Sequence, residues 1–380
     1  MLAVAIATAI AARSFEEAAK LLAISAELKI SARHLQTLCQ ELGGAGVDEQ
    51  ERKTTAYKRR PLMTPPSTAD PPVGLAAVMI DGGRMQTRQP DQGPGVHEPA
   101  WRETKTAVLL RMKRQLSPLD PQPELPSCFA QPLEKTSELP QPGEPVAEAE
   151  KIDWRPVPLV RSGLATLNDS DAFGWMAAAA AEDRGFFTAS GKAFVSDGLP
   201  YNWSIQRRHF ATFEPILDFV HASEHVHNAA KAINQGAELG QRWAELCWQG
   251  RVQDVLSQID EQQGRISPPL QPDDEPDHPW CVLKRERGYL VNNQQRMDYP
   301  RYRCEGLPIT SSPVESWVKQ LNHRVKGSEK FWNNDANPEA MLNLRAAWLN
   351  DEESFVIRIR DLPGHPYARP RHDELPSLAA

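Results

Sequence analysis

Three carboxylates, far apart in the chain, stand where a site for divalent cations needs them. Asp81 closes the apolar run Val73 to Ile80 and opens Asp81-Gly82-Gly83-Arg84. Asp197 closes Ala193-Phe194-Val195-Ser196 and opens Asp197-Gly198-Leu199-Pro200. Glu315 lies in Ser312-Pro313-Val314-Glu315-Ser316-Trp317, at the start of an amphipathic helix. Carboxylate oxygens are natural ligands for Mg²⁺, which binds few protein groups and keeps its waters. Two such ions can activate the attacking oxygen and stabilise the leaving oxygen of a phosphodiester. The order Asp, Asp, Glu on strand, strand and helix therefore points to phosphoryl transfer on DNA.

Each position also has a plainer role. Asp-Gly-Gly and Asp-Gly are ordinary turn sequences. Ser312 to Glu315 reads as a capping box with Pro313 at the first helical position, which needs no metal. Ligand sites at the carboxyl ends of strands are the rule in α/β sheets, which favours the functional reading of Asp81 and Asp197. Lys319 falls four residues after Glu315, with Arg324 and Lys326 beyond, so one helix carries a carboxylate and cations that could hold a DNA phosphate. His221, Glu224 and His225 spell H-x-x-E-H, the inverted zinc-peptidase pattern, whose i and i+4 histidines could share one Zn²⁺. That motif follows directly on a strand, and spacing singles out no third ligand, so a zinc peptidase ranks behind the other readings.

The chain must supply elements that bring these groups together. With 380 residues, 40% of them hydrophobic, it can bury a core of two or three domains. Five scattered cysteines without a CxxC pair suggest reduced thiols and a cytoplasmic protein. The apolar start, Met1 to Ala12, lacks a positive n-region and runs on into a helix, which argues against a signal peptide. No apolar run approaches the ~20 residues of a membrane span. The net charge of −7 is unevenly spread: residues 118–153 hold eight Asp/Glu against two Lys/Arg, residues 280–332 ten Lys/Arg against five Asp/Glu. The second segment is thus the expected surface for a phosphate backbone.

The pattern predicts an N-terminal helical region over 1–43, within which 14–43 forms two short helices. Ser14 and Ser31 are their caps and Gly43 is a stop, as in part of a helix-turn-helix or a plain helical hairpin. A polar linker is expected over 44–71. A core over 72–220 begins with strands Val73 to Ile80 and Thr106 to Leu110 in a meander. Its proline-rich acidic stretch 118–153 reads as a surface loop. A helix follows from Asp171 to Asp183, then a short helix from Ile205 to Phe210 and a strand from Pro215 to Val220. A helical insertion covers 221–300, helical from about His221 to Gln263 with a break near Gly250, and with a second acidic, proline-rich connector from Pro268 to Pro279. Residues 301–350 carry the Glu315 helix and close the core; 351–380 form a tail. Strands, then alternation, then a helical block describe an α/β fold with a helical insertion before the last carboxylate.

Longer blocks resemble a known family. Ile80 to Arg88 and Trp101-Arg102-Glu103-Thr104-Lys105 look like the first catalytic block of bacterial insertion-sequence transposases of the ISKra type. Ser196-Asp197-Gly198, Ile216 to His221 and Glu224-His225 are similar to their second block. Tyr289-Leu290, Asn293, Arg296-Met297, Tyr299, Gly306, Pro308-Ile309 and Val314-Glu315-Ser316 resemble the third. The resemblance implies an RNase H-like mixed sheet with flanking helices. It also implies Asp81, Asp197 and Glu315 as ligands of two Mg²⁺ or Mn²⁺ ions. Asp218-x-x-His221 resembles the C/D-x-x-H element of several transposase groups, which implies that Asp218 and His221 support the core. The implied activity is nicking at element ends and strand transfer by the freed 3′-hydroxyl, with DNA as partner and a homo-oligomer assembled on it. The alternative is a truncated or repurposed copy that binds DNA without chemistry.

Overall fold

A computed structural model describes residues 1–59, 73–87, 100–129, 154–234, 236–273, 275–326, 332, 336–350, 355–356 and 359. The chain opens with helices α1 (Leu2–Ala11), α2 (Phe15–Ser25) and α3 (Ala32–Arg59). Strands β1 (Leu75–Thr87), β2 (Ala100–Lys113) and β3 (Val157–Thr166) follow. Next come α4 (Ser170–Glu182), β4 (Gly191–Ser196), α5 (Pro200–His209) and β5 (Glu214–Leu217). The helical block contains α6 (Phe219–Ala232), α7 (Gly236–Trp248), α8 (Val252–Gly264), α9 (Pro279–Asn293) and α10 (Tyr299–Cys304). Helices α11 (Ser312–Val325) and α12 (Ala336–Asn350) complete the described elements. Among the described residues no helix is long and apolar enough to cross a membrane.

The fold is mixed α/β. Five strands form one sheet in the order β3-β2-β1-β4-β5. The first three make an antiparallel meander, and β4 and β5 add in parallel to β1. Leu75 to Ile80 of β1 is buried on both faces, as its unbroken apolar run requires of a central strand. Helix α12 covers part of the open edge of β3. Asn350 exchanges two hydrogen bonds with the backbone of Gly163, and Glu339 accepts from the Leu167 N–H and the Thr166 hydroxyl.

Several boundaries differ from expectation, each for a physical reason. Gly43 does not end a helix: α3 runs on to Arg59, so 44–59 is helix rather than linker, while 60–71 lies outside the described residues. Gly43 instead lets α12 approach, because a Cβ there would collide with the Ala340 carbonyl. The caps hold as read: Ser14 accepts from the Glu17 N–H while Glu17 accepts from the Arg13 N–H, and Ser31 accepts from the His34 N–H. Strand β1 does not stop at Asp81, since its antiparallel partner β2 continues; only the parallel ladder to β4 stops, at Ile80 and Ser196. Strand β5 ends at Leu217, and Asp218 caps α6 by accepting from the Val220 N–H. Helix α5 starts five residues before Ile205. The stretch 221–263 is divided at Gly250, where the helical pattern is expected to break, and also at Gly236, where no break is expected; both glycines have positive φ. The acidic loop is partly tied down: Asp120 pairs with Arg303, the Gln122 carbonyl accepts from the Trp248 indole, and Phe129 packs on Phe219. All of 130–153 and most of the 351–380 tail lie outside the described residues.

Candidate metal centre

Opposed residues on paired strands share a face. The register pairs Met79 with Val108, and Val108 with Gly163, so Met79 and Asp81, two residues on, face the side covered by α11. There the Trp317 indole lies over Gly163, where a Cβ would sit 2.5 Å from the ring. Parallel strands run about 4.8 Å apart. Asp197, one residue beyond the last ladder pair Ile80–Ser196, therefore stands beside Asp81 at the carboxyl edge of the sheet.

Helix α11 brings Glu315 to the same edge, and the device that holds it is Asp218. This carboxylate is fully buried. One oxygen accepts from Val220 N at 2.6 Å, the other from Ser311 N at 2.6 Å and from the Ser311 hydroxyl. The backbone adds Phe219 N–H to the Ile309 carbonyl at 2.9 Å. The expected capping box from Ser312 does not form. The N-cap is Ser311, whose hydroxyl is drawn to Asp218 instead of capping the helix.

Donor atoms of Asp218, His221 and Glu315 lie within 4.8 Å of one another. The charges of Asp197, His221 and Glu315 all act on Asp81. Burial, joined by Asp197 and Glu315, pushes the Asp81 carboxyl up to about 6 in spite of the Gly82 N–H and His221. Burial disfavours a charged His221, yet its hydrogen bond to Glu224 and the charges of Asp218, Glu224 and Asp197 push it up to about 9.

The donor set fits a divalent cation. Asp81 uses Oδ1 for the Gly82 N–H at 2.7 Å. Asp197 Oδ1 takes Leu199 N, Asn202 Nδ2 and the Ser196 hydroxyl at 3.0–3.1 Å. Glu315 Oε1 accepts a long bond of 3.4 Å from Ser311. Among the described residues, each of the three keeps its second oxygen free of a hydrogen-bond donor. Each of the three acids thus has one oxygen to offer, but among the described residues the group whose ligand atoms lie within 4.8 Å of one another is Asp218, His221 and Glu315; Asp81 and Asp197 stand at the same sheet edge outside that group.

Asp218 and His221 lie at this centre. The two histidines of H-x-x-E-H do not converge: His221 Nδ1 faces Glu224 at 3.2 Å, whereas His225 pairs with Glu286 and stacks on Tyr289. The phosphate-binding set is corrected in part. Lys319 and Lys326 are exposed, but Arg324 is buried. It donates to the carbonyls of Ala9 at 3.0 Å and Arg13 at 3.4 Å and lies over the Phe15 ring, so it joins α11 to the N-terminal helices. The excess of cations over 280–332 likewise does not form an open basic face. Arg285, Arg287, Arg301 and Arg303 pair with Glu286, Asp260, Glu214 and Asp120. Ser311, Asn202 and Tyr289 were not singled out by sequence as site residues; the partners of Ser311 and Tyr289 lie over 90 residues away, and Asn202 reaches Asp197 only because α5 turns back toward the end of β4. No protein-family model matches the chain, and comparison with curated proteins finds no match.

Proposed function

We propose that the protein is a metal-dependent DNA nuclease and strand transferase of the DDE transposase kind, built on an RNase H-like core. The observation that carries this reading is that Asp81 and Asp197 stand side by side at the sheet edge to which α11 brings Glu315, close enough for the charges of Asp197 and Glu315 to act on Asp81, and each acid has an unshared oxygen. The sheet supports it: a three-stranded meander extended by two parallel strands, with acids after the parallel register of β1 and β4 and a third on a covering helix. The insertion α6–α10 between β5 and that helix agrees with the same reading.

Two Mg²⁺ or Mn²⁺ ions held there would activate water or a DNA 3′-hydroxyl and stabilise the leaving oxygen. Asp81 and Asp197, each the first residue after the parallel ladder on β1 and β4, would share the binding between them. Glu315 closes the site from α11, kept in place by the Asp218–Ser311 contact. His221 stands beside Glu315 and can hold a proton at Nδ1 against Glu224. No covalent intermediate on the protein is required.

The test is nicking of supercoiled DNA with Mg²⁺ or Mn²⁺, comparing wild type with Asp81→Asn, Asp197→Asn and Glu315→Gln. The expected result is nicking by wild type and loss in all three, with DNA binding kept. Binding without metal-dependent nicking by wild type under any tested ion would replace this reading with a DNA-binding role without chemistry.

A further inference from the structure

We infer that Tyr289 is a positioning residue for Asp197, through which the helical insertion sets the geometry of the metal centre. This rests on the carboxylate centre proposed above. Asp197 is the first residue beyond the parallel ladder: the Ser196 carbonyl before it still accepts from the Asp218 N–H at 2.9 Å, but no strand pairing fixes the Asp197 carbonyl itself. The Tyr289 hydroxyl supplies that restraint by donating to the Asp197 carbonyl at 2.7 Å. The next residue, Gly198, has φ +91°, and a Cβ there would meet the Tyr289 hydroxyl at 2.8 Å. The ring thus occupies space that any other side chain at 198 would need.

The tyrosine is itself held from three sides. Its ring stacks on His225 of α6, with centroids 3.4 Å apart and planes 18° from parallel. His225 pairs with Glu286, three residues before Tyr289 on α9. One turn further, Asn293 Nδ2 donates to the Tyr289 carbonyl at 3.0 Å, while Asn293 Oδ1 accepts from the Trp203 indole of α5 at 2.8 Å. Helix α9 therefore grips the Asp197 segment twice, at its carbonyl and through the helix that follows it. Helix α5 completes the frame, because Asn202 binds the Asp197 side chain directly. Without the hydroxyl, the Asp197–Gly198 peptide can turn about the residue type with the widest φ/ψ freedom, and the Asp197 carboxylate shifts with it. Tyr289 touches neither substrate nor the reacting atoms; its action is wholly through Asp197.

The experiment uses the full chain free of DNA, as wild type, Tyr289→Phe and Tyr302→Phe. Tyr302 is a control of like chemistry, since its hydroxyl reaches the Pro215 carbonyl at 3.4 Å rather than Asp197. Mn²⁺ affinity is measured by titration, and amide hydrogen exchange at Asp197–Leu199 is measured in the metal-free protein. Tyr289→Phe is expected to weaken Mn²⁺ binding about tenfold, the usual scale for a group that orients a ligand. It should also speed exchange at Asp197–Leu199 with little change in thermal midpoint, and Tyr302→Phe should do neither. Wild-type affinity or unchanged exchange in Tyr289→Phe overturns the proposal, as does an equal effect of Tyr302→Phe. If wild type takes up no Mn²⁺, the metal reading fails separately and the exchange result alone decides.

Discussion

The buried carboxylate of Asp218 accepts the backbone N–H of Ser311 at 2.6 Å, joining the first turn of α6 to the first turn of α11 across 93 residues of sequence. Glu315 lies four residues beyond that junction. Asp218→Ala should therefore both destabilise the fold and misplace Glu315. It leaves the N–H groups of Ser311 and Val220 without an acceptor, at about 1–3 kcal/mol for each buried orphan. Ser311→Ala removes only the hydroxyl and should cost about 1 kcal/mol. Urea unfolding in chelator measures both; equal stability of Asp218→Ala and wild type would show the junction to be idle.

Asp81 should lower the stability of the metal-free protein at neutral pH. Its folded pKa is raised from 3.8 to about 6, so the folded state takes up a proton more readily than the unfolded chain. The associated stability is fully present below pH 3.8 and is lost as pH rises through 6. Asp81→Asn, which cannot ionise, should then be more stable than wild type at pH 8 by about 1–3 kcal/mol in chelator. The difference should vanish near pH 4, and Mg²⁺ should reverse it by stabilising wild type alone. Thermal scans at both pH values check the sign.

The positions of Asp197 and Glu315 were legible because each sits at an element boundary marked locally, by Gly198 after a strand and by Pro313 at a helix start. Asp81 was legible as a residue but not as an environment. Its glycines mimic a turn, yet the strand continues because β2 supplies a partner that no local signal announces. The Ser311–Asp218 contact was hidden for a related reason: a serine beside a better-spaced capping candidate gains its role only from a carboxylate elsewhere in the fold. Arg324 shows the limit of charge patterning. A cation near the end of a charged helix reads as a surface group until the N-terminal helices present carbonyls to it.

Gly43 tests the long-range origin of α3. A stop signal would tolerate alanine or gain from it, since alanine favours helix. Here a Cβ collides with the Ala340 backbone, so Gly43→Ala should separate α3 from α12 and cost about 1–3 kcal/mol, the usual range for overpacking. Gly44→Ala meets nothing within 4 Å and should be neutral or stabilising. Denaturation of the two variants side by side separates packing from propensity; equal outcomes would refute the close approach.

Lys319 and Arg324 should respond to alanine in opposite ways, although both lie on α11 after Glu315. Lys319 is exposed four residues beyond Glu315, so its ammonium is free to meet a phosphate near the metal centre. Lys319→Ala should leave stability unchanged, weaken DNA binding and reduce the salt slope of log K by about 0.9, the share of one phosphate contact. Arg324 is 3% exposed, and burial holds its guanidinium down to about 10. Arg324→Ala removes both carbonyl contacts and the stack on Phe15, and should cost about 2–4 kcal/mol by the scale of buried hydrogen bonds and lost packing. Its DNA affinity under native conditions should match wild type, with an unchanged salt slope. Anisotropy titrations with duplex DNA in chelator over a series of KCl concentrations, paired with urea unfolding, give both readouts on the same samples. A reduced salt slope for Arg324→Ala with wild-type stability would place that side chain on the DNA surface and undo its assignment to the core.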